Sequence, residues 1–217
     1  DAGGQRVGEQ LDPLPLPIAE WGRRAVLRSQ HDLIVPPTLS DGRYDLWVML
    51  HTGRDPAGQA VRLAVMAITA PDHNFALPAD AIRLPDESVQ LDQKIGLRGF
   101  KSQPGAQSLA VELYWQTDEA LTTRYTVFAQ LLAGDNTVVA QSDSAPAGGT
   151  RPTTGWLPGE IITDPHTLSL PSNPSPGPYR LIAGLYDPVT GQRLPVRAAD
   201  GTPVADFITV IPEVALP

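Results

Sequence analysis

Sliding the chain along itself by 135 positions aligns two of its segments without a gap, so whatever it folds into must be built twice. Trp21 falls on Trp156, His31 on His166, Leu33 on Leu168, Pro36 on Pro171, Gly42 on Gly177, Tyr44 on Tyr179, Leu46 on Leu181 and Leu50 on Leu185. With Ser40 on Ser175 these make nine identities in the thirty positions from 21 to 50, against roughly two expected by chance. With the shift reduced by two, Gly58-Gln59 meets Gly191-Gln192. Upstream, Leu11-Asp12-Pro13 answers Ser142-Asp143 and Pro146 across a shorter loop. The copies are unequal: the second starts near Gln93, whose counterpart would precede residue 1, so the first copy is expected to lack its opening strands. An open sandwich exposes unpaired edges and apolar faces. The amino-terminal half is therefore expected to lean on the second domain or on a partner.

The repeated unit is a β-structure. With 23 Pro and 19 Gly among 217 residues, long helices are interrupted everywhere, while 41% hydrophobic residues suffice for a core. Residues 108–116 alternate, with Leu109, Val111, Leu113 and Trp115 on one face; residues 125–132 set Tyr125, Val127 and Leu131 against Thr126, Phe128 and Gln130. Gly134-Asp135-Asn136 reads as a hairpin turn into a strand at 138–142. Further strands are predicted at 94–100, 161–170, 179–186, 193–196 and 205–210. The expected fold is all-β: tandem antiparallel β-sandwiches of immunoglobulin-like or jelly-roll type, a truncated first unit at residues 1–88 and a complete one at 89–217.

Charge and composition exclude several classes. A net charge of −8, from 16 Lys plus Arg against 24 Asp plus Glu, repels phosphate backbones, so no nucleic acid partner is expected. Without cysteine there are no disulfides, thiolate metal sites or thiol nucleophiles. The longest apolar run, residues 63–68, is far short of the roughly 20 residues of a spanning helix. No nucleophile elbow, zinc-binding H-E-x-x-H, phosphate loop or dinucleotide fingerprint occurs, and no cofactor or metal is expected.

The remaining candidates have two readings each. His31 and His166 occupy the same place in the two copies; His166 with Asp164 could form a metal or acid/base pair, or the histidine could bond a loop carbonyl at a strand entrance. The adjacent pairs Asp86-Glu87 and Asp118-Glu119 invite a glycosidase reading, which needs two carboxyls about 5–9.5 Å apart, against simple solvation on turns. Loop oxygens near Asp143 or Asp187 could hold a cation. Trp115, Trp156 and Tyr186 could stack on a sugar, or the tryptophans could plug the sandwich, which Trp21 recurring at Trp156 favours. The long loop at 142–159 is the first place to look for a site. The ligand-binding candidates are thus Trp115, Asp143, Trp156, His166 and Tyr186, with no catalytic residue assigned.

Residues 111–116 (VELYWQ), 125–131 (YTVFAQL), 141–143 (QSD), 152–156 (PTTGW), 158–160 (PGE), 177–186 (GPYRLIAGLY) and 191–194 (GQRL) carry a family resemblance. Together they resemble the carboxy-terminal extracytoplasmic region of certain bacterial polytopic membrane proteins of the dolichyl-phosphate-mannose-type glycosyltransferase group. The resemblance spans residues 93–212, and 8–68 through the repeat. It implies a β-sandwich module outside the cytoplasm, tethered to an upstream membrane part of a parent protein. In that family the transferase chemistry belongs to the membrane part, so the resemblance carries no catalytic residue onto this chain. The expected function is a non-catalytic structural or interaction module with possible carbohydrate binding; the alternative is a glycoside-active enzyme using scattered carboxylates.

Overall fold

The computed structural model describes residues 4–14, 20–22, 26–52, 54–84, 89–173, 177–197 and 200–215. Among them every regular element is a strand or a short 3-10 turn, as the frequent Pro and Gly require. The chain divides into two units, residues 1–71 and residues 72–217.

Among its described residues the second unit holds eleven strands: β5 (Ile82–Arg83), β6 (Gln90–Leu91), β7 (Ile95–Pro104), β8 (Ser108–Thr117), β9 (Thr126–Leu132), β10 (Val138–Ser144), β11 (Ile162–Ser169), β12 (Tyr179–Tyr186), β13 (Val196–Arg197), β14 (Pro203–Ala205) and β15 (Ile208–Val214). One sheet runs β10-β9-β12-β15 and the other β11-β8-β7-β6-β13-β14, with β5 also paired to β7. All these pairings are antiparallel. The alternation read in β8 holds. Leu109, Val111, Leu113 and Trp115 join Val127, Ala129, Leu131, Leu181, Ala183 and Leu185 of the other sheet in a single core, which makes the unit a β-sandwich. Fully burying each large aliphatic side chain contributes about 1.5–3 kcal/mol.

In β9 the outward face is buried as well. The Arg193 guanidinium lies 4.1 Å from the Phe128 ring centroid and donates to Gln130 Oε1 at 3.1 Å, covering a face that alternation assigns to water. Phe128 sits opposite Gly184 in register, and a Cβ on Gly184 would come within 2.5 Å of the ring. Only glycine lets the ring lie across the neighbouring strand.

The division between the units falls after Pro71, rather than at the expected position between residues 88 and 89. Residues 72–84 belong with the second unit because they are hydrogen-bonded into it. Ile161 N donates to the Asn74 carbonyl at 2.7 Å, and β5 pairs with β7. Gly99 of β7 permits that approach, since a Cβ there would stand 2.7 Å from the Ile82 carbonyl oxygen.

The first unit contains β1 (Gly42–Val48), β2 (His51–Thr52), β3 (Asp55–Pro56) and β4 (Val61–Ile68). β1 pairs with β4 and β2 with β3, forming two-stranded sheets. Ahead of them Gln10 acts as a single cross-rung, donating from Nε2 to the Asp32 carbonyl at 2.8 Å and accepting from Ile34 N at 2.9 Å. The repeat extends to strand register. Leu46↔Ala64, Trp47↔Arg62 and Val48↔Val61 in β1–β4 correspond to Leu181↔Ile211, Ile182↔Thr209 and Ala183↔Ile208 in β12–β15, with an irregularity at the same step in both. Tyr44, buried at the head of β1, donates its hydroxyl to the Ser40 carbonyl at 2.9 Å and fixes the corner into the strand.

Candidate functional site

The most concentrated polar chemistry of the second unit lies on β11. Its inward positions read Ile162, Asp164, His166 and Leu168, so a two-residue period places an acid and an imidazole on the core side. Both side chains are wholly enclosed. Asp164 accepts from Trp115 Nε1 at 3.2 Å and His166 Nε2 at 3.0 Å through Oδ2, and from Ala147 N at 2.8 Å through Oδ1. His166 Nδ1 meets the Ser142 hydroxyl on β10 at 3.2 Å. The imidazole thus ties an edge strand of one sheet to an edge strand of the other. Ala147 has φ of 52°, a left-handed backbone that an L-residue resists, and the Asp164 bond to its amide holds it there.

A second enclosed carboxylate closes the long loop. Glu160 accepts from His73 Nδ1 at 2.8 Å, from the Arg151 guanidinium, and from Leu157 N at 3.1 Å. Trp156 Nε1 donates to the Arg151 carbonyl at 2.8 Å. Thr153, also buried, donates to the Thr123 carbonyl at 2.6 Å and accepts from Tyr125 N at 3.0 Å. The loop is packed upon itself by its own polar residues.

The first unit repeats the imidazole device with two partners exchanged. His31 Nδ1 lies 3.1 Å from Asp12 Oδ2 and its Nε2 2.8 Å from Ser29 Oγ. In both copies Nε2 faces the residue two positions earlier, Asp164 or Ser29, and Nδ1 faces an upstream segment, through Ser142 or Asp12. Acid and alcohol have traded places around the ring. The other difference is exposure, since the His31 and Asp12 side chains are 38% and 33% accessible.

The five expected ligand-binding residues do not converge. Trp115 and Trp156 are buried in the core at 0% and 1% exposure, so neither offers a ring face. Tyr186 is half-buried on the outer side of the β9–β12 sheet, its ring centroid 6.5 Å from that of Phe128. Asp143 is exposed on β10, opposite Phe128 in register. His166 is joined to Trp115 through Asp164 and lies within β11, bonded to side chains rather than to a loop carbonyl at the strand entrance.

Of the adjacent carboxylate pairs, Asp86-Glu87 lies outside the described residues. Asp118 and Glu119 are exposed, Asp118 accepting from Gln90 Nε2 at 3.0 Å and Glu119 lying 3.4 Å from Lys94 Nζ. Asp187 accepts from Val189 N at 2.8 Å and shapes its own turn. Arg151, His73, Ser142 and Thr153 are partners that sequence reasoning missed, since each acts through a contact between distant segments.

No family model matches the chain, and no curated protein matches it at a significant level. Among solved structures, a beta-glucuronidase from glycoside hydrolase family 2 is similar at 16% identity and a TM-score of 0.32, over 41% of this chain and 9% of that one.

Proposed function

We propose that this chain is a non-catalytic module of a larger, membrane-tethered protein, exposed outside the cytoplasm and serving a structural and interaction role. The observation that carries the reading is the doubled imidazole device. A reaction fixes which group donates and which accepts, whereas a brace tolerates exchange of acid and alcohol around the ring, and that exchange is what the two copies display. In the second unit the imidazole and carboxylate are sealed from any substrate, and Asp164 and Glu160 each already accept three hydrogen bonds.

The strand order supports an immunoglobulin-like rather than a jelly-roll reading. The first, second and fifth long strands, β7, β8 and β11, face the third, fourth, sixth and seventh, β9, β10, β12 and β15. A tyrosine hydroxyl bonded back to the chain just before such a strand, as in Tyr44, belongs to the same pattern. The location outside the cytoplasm rests on the family resemblance. Among the described residues no helix is long and apolar enough to cross a membrane. Carbohydrate recognition loses the indole faces of Trp115 and Trp156 and keeps, of its three aromatic candidates, the half-buried Tyr186, so the interaction role is assigned to protein partners.

An enzyme reading has one observation in its favour. Asp12, His31 and Ser29 are joined in the order of an acyl-transfer triad, carboxylate to Nδ1 and Nε2 to hydroxyl. Assaying the full chain against chromogenic esters and glycosides, beside a Ser29→Ala variant, decides between the two. The module reading expects identical background rates. Saturable turnover abolished by Ser29→Ala would overturn it, and a glycan array with dose-dependent binding would restore the sugar partner.

A further inference from the structure

Tyr114 is wholly buried although it does not belong to the core between the sheets. Along β8 the inward positions are Leu109, Val111, Leu113 and Trp115, so Tyr114 falls on the outer face with Glu112 and Gln116. Its cover comes from residues 72–84. Gly99 stands opposite Tyr114 in register, and a Cβ on Gly99 would lie 3.4 Å from the Leu77 side chain. Asp80 Oδ1 lies 2.7 Å from Lys101 Nζ, and that ammonium sits 5.9 Å from the centroid of the Tyr114 ring.

The cover is anchored by an apolar side chain at one end and by polar contacts at the other. Leu84 is buried in the core of the sandwich, whereas residues 72–83 are exposed or half-buried and none of them belongs to that core. At the far end the Asn74 carbonyl accepts from Ile161 N at 2.7 Å and the Asp72 carbonyl from Arg151 Nη1 at 3.2 Å, while His73 Nδ1 lies 2.8 Å from Glu160 Oε1. Between the two ends the Asp80 side chain is 75% exposed, so its ion pair adds little. Release would strand no charge. The sealed Glu160 keeps the Arg151 guanidinium and Leu157 N, and Lys101 keeps Glu112 at 3.9 Å. Polar contacts of this kind exchange for water at small net cost, and segments with few buried apolar contacts open first.

We infer that residues 72–83 form a hinged lid, turning on Leu84 and latched by His73 on Glu160, which opens while the sandwich stays folded and bares Tyr114. The lid governs access to the outer face of β7 and β8, where the phenol, the Glu112 carboxylate that accepts its proton at 2.7 Å, and the Lys101 ammonium stand together. This device stands whether or not the module has a catalytic role.

Native-state amide exchange of the full chain, in low urea, tests the lid. The Ile161 amide reports it, because its acceptor is the Asn74 carbonyl, and the amides of residues 109–115 report the sandwich. Protection of Ile161 is expected to be at least about tenfold below that of residues 109–115, with a weaker dependence on urea, since a lid exposes less surface than an unfolded sandwich. Gly184→Ala, which weakens the sandwich through the Phe128 ring, is expected to speed exchange at residues 109–115 about fivefold or more and to leave Ile161 unchanged. His73→Ala is expected to speed Ile161 about fivefold or more, and to speed nitration of Tyr114 by tetranitromethane in step, as located by peptide mass spectrometry. His73→Gln, which can still donate to Glu160, should restore both. Three results would overturn the lid: Ile161 following residues 109–115 in Gly184→Ala, no response of Ile161 to His73→Ala, or a Tyr114 that stays unreactive while Ile161 exchanges.

Discussion

His166 and His31 occupy equivalent places, use the same ring nitrogens toward equivalent segments, and differ in what surrounds them. In the second unit the ring, its acid and the indole that donates to that acid are enclosed between two sheets. In the first unit the same arrangement stands open to water. A polar bridge in water exchanges one set of hydrogen bonds for another at little net gain, whereas inside a core each unmade bond keeps its full desolvation cost. The comparison therefore separates a geometry from its energetic worth: one plan serves as a brace in the sandwich and as a light tether in the ribbon.

Substituting the acid in each copy tests that difference with the largest expected effect. Asp164→Ala strands the Trp115 N–H, the His166 Nε2 and the Ala147 amide, and is expected to cost about 3–5 kcal/mol. Asp12→Ala is expected to stay within about 1 kcal/mol. Urea unfolding followed by tryptophan fluorescence measures both, and equal losses would break the comparison. Next comes Glu160→Gln, which takes the charge from beneath Arg151 and His73. An expected loss of about 2–3 kcal/mol, seen as a lower urea midpoint, would show that the loop latch ranks with the brace.

A smaller effect is expected from Gly184→Ala, whose new methyl meets the Phe128 ring. About 1–3 kcal/mol should be lost as the ring and Arg193 are displaced, readable in the thermal midpoint and in faster exchange along β9. The equivalent position in the first unit is Met49, so the need for glycine is specific to the sheet that carries β9.

The smallest effect is alkaline. Burial, and secondarily its hydrogen bond to Glu112, raise the Tyr114 phenol above its ordinary 10.0. The folded chain then keeps a proton that the unfolded chain releases. The resulting stabilisation is complete below the unfolded value and is lost as pH rises through the folded one. Between about pH 9 and pH 11, Tyr114→Phe should lose less urea stability than the parent chain.

Much of this could be read from residue order. The period of two in β8 named its buried face, and the turn at residues 134–136 placed Asn136 with φ of 69°, as that turn chemistry requires. The repeat matched β1 to β12 through Gly42, Tyr44 and Leu46, whereas the match of β4 to β15 lies in the strand register. The same period of two along residues 162–168 puts Asp164 and His166 inward with Ile162 and Leu168, so part of the brace was legible too. What escaped were features made by approach in space. Burial of the outer face of β9 depends on an arginine more than sixty positions away, and the boundary at Pro71 depends on a hydrogen bond from Ile161 to Asn74. The tryptophans were legible as core, and their enclosure removes the stacking role.

The reach of residues 72–74 into the second unit decides where the sandwich can be excised. Trimmed to begin at residue 89, the remainder would keep Glu160 while discarding His73, would deprive Arg151 of the Asp72 carbonyl, and would bare the flank of β7 that β5 now covers. Cut after Pro71, it keeps all three, so the thirteen residues from 72 to 84 are a clasp that travels with the sandwich when the halves are expressed apart.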